Sequence, residues 1–148
     1  MVNRLSVSAY TTWGAQVYEL IQQTAPVSIH LAANVDAETR RLVVDAEMMA
    51  VDGTVTGKLQ LWLIEDGIVS AQLMPDGSSN RDYVHNHVFR TSINGTWGED
   101  ISIPEGESIT RQSAITINDG YVLDNLSVVA FVYNNAGVLQ AAIVPLTP

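Results

Sequence analysis

Cysteine is absent from this 148-residue sequence, and lysine occurs once, at Lys58. Without cysteine there are no disulfides, no thiolate metal sites and no sulfur nucleophile, while the redox compartment stays open because the absence suits any of them. Positive charge is scarce as well. Lys58 and six scattered arginines, Arg4, Arg40, Arg41, Arg81, Arg90 and Arg111, stand against 16 acidic residues for a net charge of -9. A phosphate backbone needs a basic stripe to displace its counterions, so nucleic acid is not an expected partner, and the acidity reads as a source of solubility. No apolar run approaches the roughly 20 residues of a membrane-spanning helix, and no basic segment followed by an apolar one opens the chain. The membrane is then expected to be reached only through a lipid anchor absent from this sequence. Also missing are the Gly-x-Ser-x-Gly elbow, the glycine-rich phosphate loop and the dinucleotide fingerprint, so the expectation is a protein that is no enzyme and takes no cofactor.

What is present suits one globular domain. Apolar residues make up 47% of the chain and charged ones 16%, enough to offset the entropy cost of ordering the backbone. Trp13, Val17, Leu20 and Ile21 recur at helical spacing after Thr11-Thr12, which can cap the start, and Pro26 closes that helix. The pattern then changes to short runs of period two. Val27, Ile29 and Leu31 alternate with Ser28, His30 and Ala32, and Leu42, Val44, Ala46 and Met48 alternate with Val43, Asp45, Glu47 and Met49. Further runs cover 59–64, 68–73, 109–117, 126–133 and 138–144. Asp66-Gly67 between two of them predicts a tight hairpin, and Asn94-Gly95 a second. Both faces of 126–133 are nearly apolar, which predicts a central strand. The reading is a mainly β fold of eight or nine strands: an antiparallel two-layer β-sandwich, Ig-like or jelly-roll, with Greek-key connections and one N-terminal helix. Residues 1–26 form a helical connector or leader, and 27–148 the sandwich.

The densest chemistry lies in Asp82-Tyr83-Val84-His85-Asn86-His87-Val88-Phe89-Arg90, continuing to Trp97-Gly98-Glu99. On one strand His85 and His87 point to the same face, a spacing that can hold Zn²⁺ or Cu²⁺ if His30 or a carboxylate supplies a third ligand. The same alternation adds Tyr83 and Phe89 to that face, which reads instead as a polar-aromatic cluster. The loop Asp76 to Asp82 offers oxygens at alternating positions, but Arg81 and His87 stand where a calcium-binding EF-hand needs glycine and glutamate. Its simpler reading is a loop whose Asp, Ser and Asn side chains bond their own backbone. Trp62 sits inside an apolar run and is expected in the core. Trp97, between Gly95 and Gly98, belongs either at an exposed edge or as a plug at one end of the sandwich. Tyr83, Trp97 and Arg90 are the candidate ligand-binding residues, since exposed aromatics stack on the apolar faces of sugars and peptides.

Four blocks in one order carry a resemblance: Tyr83-Val84-His85-Asn86-His87-Val88-Phe89-Arg90, then Gly95-Thr96-Trp97-Gly98-Glu99, Asn125 to Val132, and Val138-Leu139-Gln140-Ala141-Ala142. From about Pro26 onward the chain resembles the C-terminal domain of the twenty-eight-kilodalton outer-membrane lipoprotein family of Gram-negative bacteria. That resemblance implies a domain at the outer membrane, at the cell surface or on the periplasmic side, in many members placed after a thioredoxin-like domain, with no catalytic residues to carry over. The sequence lacks the family's signal peptide, lipidated cysteine and thioredoxin-type cysteine pair, so it is expected to be an excised domain or one without its leader, with the helix joining an upstream domain of the same polypeptide. The functional expectation is a non-enzymatic module of the bacterial surface, with a protein or glycan ligand or a structural role. The alternative is a metal-binding domain built on His85 and His87.

Overall fold

The computed structural model describes residues 1–4 and 7–146. A 3-10 turn, Tyr10–Thr12, leads into α1, Trp13–Leu20, and ten strands follow. Thr12 stands at the helix start without capping it, its hydroxyl donating 2.8 Å to the Ala9 carbonyl instead. The strands are β1 (Val27–Val35), β2 (Arg41–Ala50), β3 (Val55–Glu65), β4 (Ile68–Leu73), β5 (Ser79–His85), β6 (Val88–Ser92), β7 (Glu99–Ile103), β8 (Ser108–Thr116), β9 (Leu126–Asn134) and β10 (Gly137–Pro145). The eight or nine strands expected fall short because β5 lies partly in the loop read at 76–82 and β7 carries no turn dipeptide at its start.

Two antiparallel sheets form the body, β1-β2-β8 and β10-β9-β3-β6 with β7 also on β3. Connections cross between them after β2, β7 and β8, as a sandwich requires. Leu42, Val44, Ala46, Met48 and Ala50 of β2 face Leu59, Leu61 and Leu63 of β3 and Val128, Ala130 and Val132 of β9 across one core. Each large apolar side chain fully buried there contributes about 1.5 to 3 kcal/mol relative to exposure. β9 is the central strand its two apolar faces predicted, flanked by β3 and β10. At one side Arg111 of β8 reaches Glu99 of β7 at 3.6 Å, an ion pair linking the sheets.

The outer faces differ. On the three-stranded sheet the outer face is polar, with Asp45 accepting a hydrogen bond from Gln112 at 2.8 Å. On the five-stranded sheet it is aromatic: Trp62 meets Phe131 and Phe89 edge-on at 4.8 and 5.2 Å, and Phe131 leads to Tyr133. Trp62 therefore lies outside the core expected for it. Leu61 and Leu63 take the inner face, and period two turns Trp62 outward.

The Asp66-Gly67 hairpin does not form. β4 pairs with β5 and not with β3, whose partner in that region is β6. Residues 68–85 are thus an arm inserted between two strands that pair with each other. Its neck is tied by three links: the His87 N–H donates to Asp66 Oδ1 at 2.5 Å, Gly67 N–H to Asn86 Oδ1 at 3.0 Å, and Arg90 Nε lies 3.0 Å from Glu65 Oε2. Val69, Leu73 and Val84 along the arm are exposed. At its tip Asp76 Oδ1 accepts bonds from the Ser78 N–H and hydroxyl, the self-bonded loop that its composition suggested.

Candidate functional site

Asn94-Gly95 makes no hairpin either, and the reason builds the site. β6 pairs with the C-terminal half of β3 and β7 with its N-terminal half, so residues 93–98 bridge two strands on one edge of β3. The side chain of Asn94 completes the interrupted ladder: its Oδ1 accepts from the Leu61 N–H at 2.8 Å and its Nδ2 donates to the Leu59 carbonyl at 2.9 Å. A carboxamide carries the donor and acceptor of a peptide group, which is why asparagine fits this position. The buried Gln60 amide donates to Ser92 Oγ at 2.7 Å and to the Gly95 carbonyl at 2.8 Å, fixing the loop from below. Gly98 has φ +69°, and a Cβ there would run into the Leu59 carbonyl, so only glycine lets the loop lie this close.

Trp97 rides on this stitched loop with 69% of its surface exposed. Its carbonyl accepts a 2.8 Å bond from the Tyr133 hydroxyl, tying the loop to β9. Beside it opens a groove of about 510 Å³ whose walls are Trp97, Tyr133, Lys58, Asp100, Thr56, Asn134 and Asn135, floored by Gly57 and Ile101. Lys58 Nζ bonds Asp100 Oδ1 at 2.8 Å across β3 and β7, and that bond raises the lysine pKa above its ordinary value. An exposed indole, a charged donor–acceptor pair and Asn135 thus line one open space. The arrangement suits a ligand with an apolar face ringed by hydroxyl groups.

The other candidates lie elsewhere. Tyr83 is on the arm, T-shaped against His85 at 4.9 Å, and does not join Trp97. Arg90 is committed internally: its guanidinium stacks 4.0 Å over Tyr121 and pairs with buried Glu65, whose other oxygen accepts the Val122 N–H at 3.0 Å. The Arg90–Glu65 contact is close but off the hydrogen-bond line, so the attraction is chiefly that of the charges. Arg90 thus lies apart from Trp97's groove, on a second one with Trp62 and Phe89. His85 ends β5, whereas His87 sits in the turn with φ +57°, so the two do not share one strand, although both line a single groove at the arm together with Tyr83. Among the described residues no three His, Asp or Glu side chains gather as a metal site. Lys58, Asp100, Asn134 and Asn135 were missed from sequence, where three distant segments supply them. The one signal was the solitary lysine.

The family model described as "Outer membrane protein Omp28" matches residues 1–145. The chain belongs to the Omp28 family. The match takes in α1 as well as the sandwich. Among solved structures, a domain of the outer membrane lipoprotein Omp28 from Porphyromonas gingivalis is similar with a TM-score of 0.60 and 23% identity over 85% of this chain and 92% of that one. HBP35 of Porphyromonas gingivalis is similar with a TM-score of 0.72 and 17% identity over 95% of this chain and 48% of that one, so the chain spans about half its length. At these identities the likeness is one of fold. No curated protein matches the chain. Omp28 is an outer membrane lipoprotein family, and the outer membrane is this domain's location.

Proposed function

We propose that this Omp28 domain is a non-enzymatic recognition module that binds a glycan in the groove beside Trp97. The observation that carries the reading is the indole itself, an exposed aromatic carried on a loop that the fold fastens to β3 and β9. Burying such a side chain elsewhere would contribute about 1.5 to 3 kcal/mol, so an indole displayed on a loop fastened by Asn94, Gly98 and Tyr133 is better explained by a ligand than by stability. The ring stacks on the C–H face of a sugar while Lys58, Asp100 and Asn135 bond its hydroxyls. Their mixed polarity suits neutral hydroxyls better than a strongly anionic ligand.

The test is a glycan array followed by calorimetry on wild type, Trp97→Ala and Lys58→Ala. Trp97→Ala is expected to abolish binding while leaving the melting temperature nearly unchanged, because an exposed side chain away from the core costs within about 0.5 kcal/mol. Lys58→Ala is expected to weaken binding several-fold. Glycan binding that survives Trp97→Ala, or an array without any hit, refutes the proposal.

A further inference from the structure

The apolar side of α1 is only partly covered among the described residues, with Trp13 43% and Val17 46% exposed. Trp13, Val17 and Ile21 recur at i, i+4 and i+8 along one stripe, with Tyr10 and Tyr18 beside them. No helical residue is buried, and Tyr10, Tyr18 and Ile21 are 79%, 66% and 69% exposed. The segment before the helix is tied to the body, Asn3 Oδ1 accepting from the Val138 N–H at 2.9 Å and Arg4 lying 4.1 Å over Tyr133, whereas of the helix itself Leu20 is half-buried, and between the helix end and β10 runs a groove of about 700 Å³ lined by Leu20, Ile21, Pro26, Val138 and Leu139. A helix of eight residues with no side-chain cap is far below the ~12 to 15 residues at which isolated helices become even marginal in water. Its order calls for more packing than the described residues of its own sandwich supply.

We infer that a second copy of this chain covers this face, the two helices meeting across a two-fold axis with the aromatic side chains of each seated against the helix and groove of the other. Three features favour a copy. The stripe is self-complementary, as an isologous contact demands, because apolar side chains lie along it without a directional partner to satisfy. The five side chains offer roughly 600 Å² of surface and the adjoining groove adds more, close to the ~800 Å² per partner of a standard interface. Charge decides the location: Glu19 is the only charged residue between Val7 and Pro26 in a chain of net charge -9, so two copies approach here with little of the repulsion they meet elsewhere. A lipid surface fits less well, since helices lying in a membrane interface draw on Lys and Arg, and this segment has neither.

Analytical ultracentrifugation across the micromolar range tests the inference. Wild type is expected to double in mass with rising concentration, and Val17→Glu and Ile21→Glu to stay monomeric with the melting temperature of the sandwich unchanged. Because the chain has no cysteine, Val17→Cys gives a single reporter near the axis. It is expected to form a disulfide-linked dimer under mild oxidation, whereas Glu38→Cys, in an exposed turn, is not. A wild type monomeric throughout overturns the inference. So does a dimer indifferent to Val17→Glu and Ile21→Glu, or retention on phosphatidylethanolamine vesicles through the same residues without self-association.

Discussion

Two interruptions along β3 begin alike and end differently. At Asp66-Gly67 the chain leaves the sheet for an eighteen-residue arm, 68–85, and returns at β6 to pair with the strand it left. At Asn94-Gly95 it stays on the same edge, bridged by one asparagine side chain, and carries on as β7. The arm bonds mainly to itself, and the bridge is fastened to the middle of the core strand. A turn dipeptide sets where the chain bends, while the partner of the next segment is set by what that segment can bury. Val69, Leu73 and Val84 have too little apolar surface around them to draw the arm onto the body, whereas Ile93, Ile101 and Ile103 are buried in the core and hold the bridge down.

The neck and the bridge are where mutation should bite. Arg90→Ala leaves Glu65 buried at the neck without its counter-charge, and the expected loss is about 3 to 5 kcal/mol in urea unfolding. Asn94→Ala orphans the Leu61 N–H and the Leu59 carbonyl, for an expected loss of about 2 to 4 kcal/mol. The same measurement on Asn86→Ala, whose single bond to Gly67 is solvent-exposed, should show about 1 kcal/mol or less. Replacing 69–84 by a two-residue turn removes the arm but keeps the Glu65–Arg90 link. Global stability should then move by no more than about 1 kcal/mol, because shortening a loop changes closure entropy only slowly. A larger loss would mean that the arm packs on the body.

Much of this frame is legible in the sequence. Period two places Leu42 to Met48 and Val27 to Leu31 correctly, the two apolar faces of 126–133 mark a central strand, and the i, i+4 spacing marks α1. Partners are not legible, since pairing β3 with β6 requires skipping residues 66–87, which include stretches that themselves look like strands. The face taken by Trp62 was hidden because both faces of β3 are apolar at that point. The groove was half visible. Gly95 and Gly98 flag Trp97, but the Lys58–Asp100 pair joins residues 42 apart and arises only once β7 lies beside β3.

The smallest expected effect is acid loosening of two turns. The Asp36 carboxyl is held below its ordinary pKa chiefly by the Thr39 N–H, then by the Thr39 hydroxyl, and that of Asp76 chiefly by the Ser78 hydroxyl, then by its N–H. A carboxyl depressed in the folded state adds stability above its unfolded pKa and loses it as pH falls through the folded value. Amide exchange at Thr39 and Ser78, corrected for the intrinsic pH dependence, should therefore quicken below the usual aspartate range. The global melting temperature should barely respond to these two groups, both of which are fully exposed.

Native-state hydrogen exchange bears most directly on the contrast between arm and bridge. The Leu61 amide, whose acceptor is the Asn94 side chain, should exchange only at the free energy of global unfolding, while Val69, Ser70 and Tyr83 exchange through local opening several kcal/mol below it. If Leu61 opens as readily as the arm, the bridge is not fastened to β3, and the anchoring of the loop that displays Trp97 fails with it.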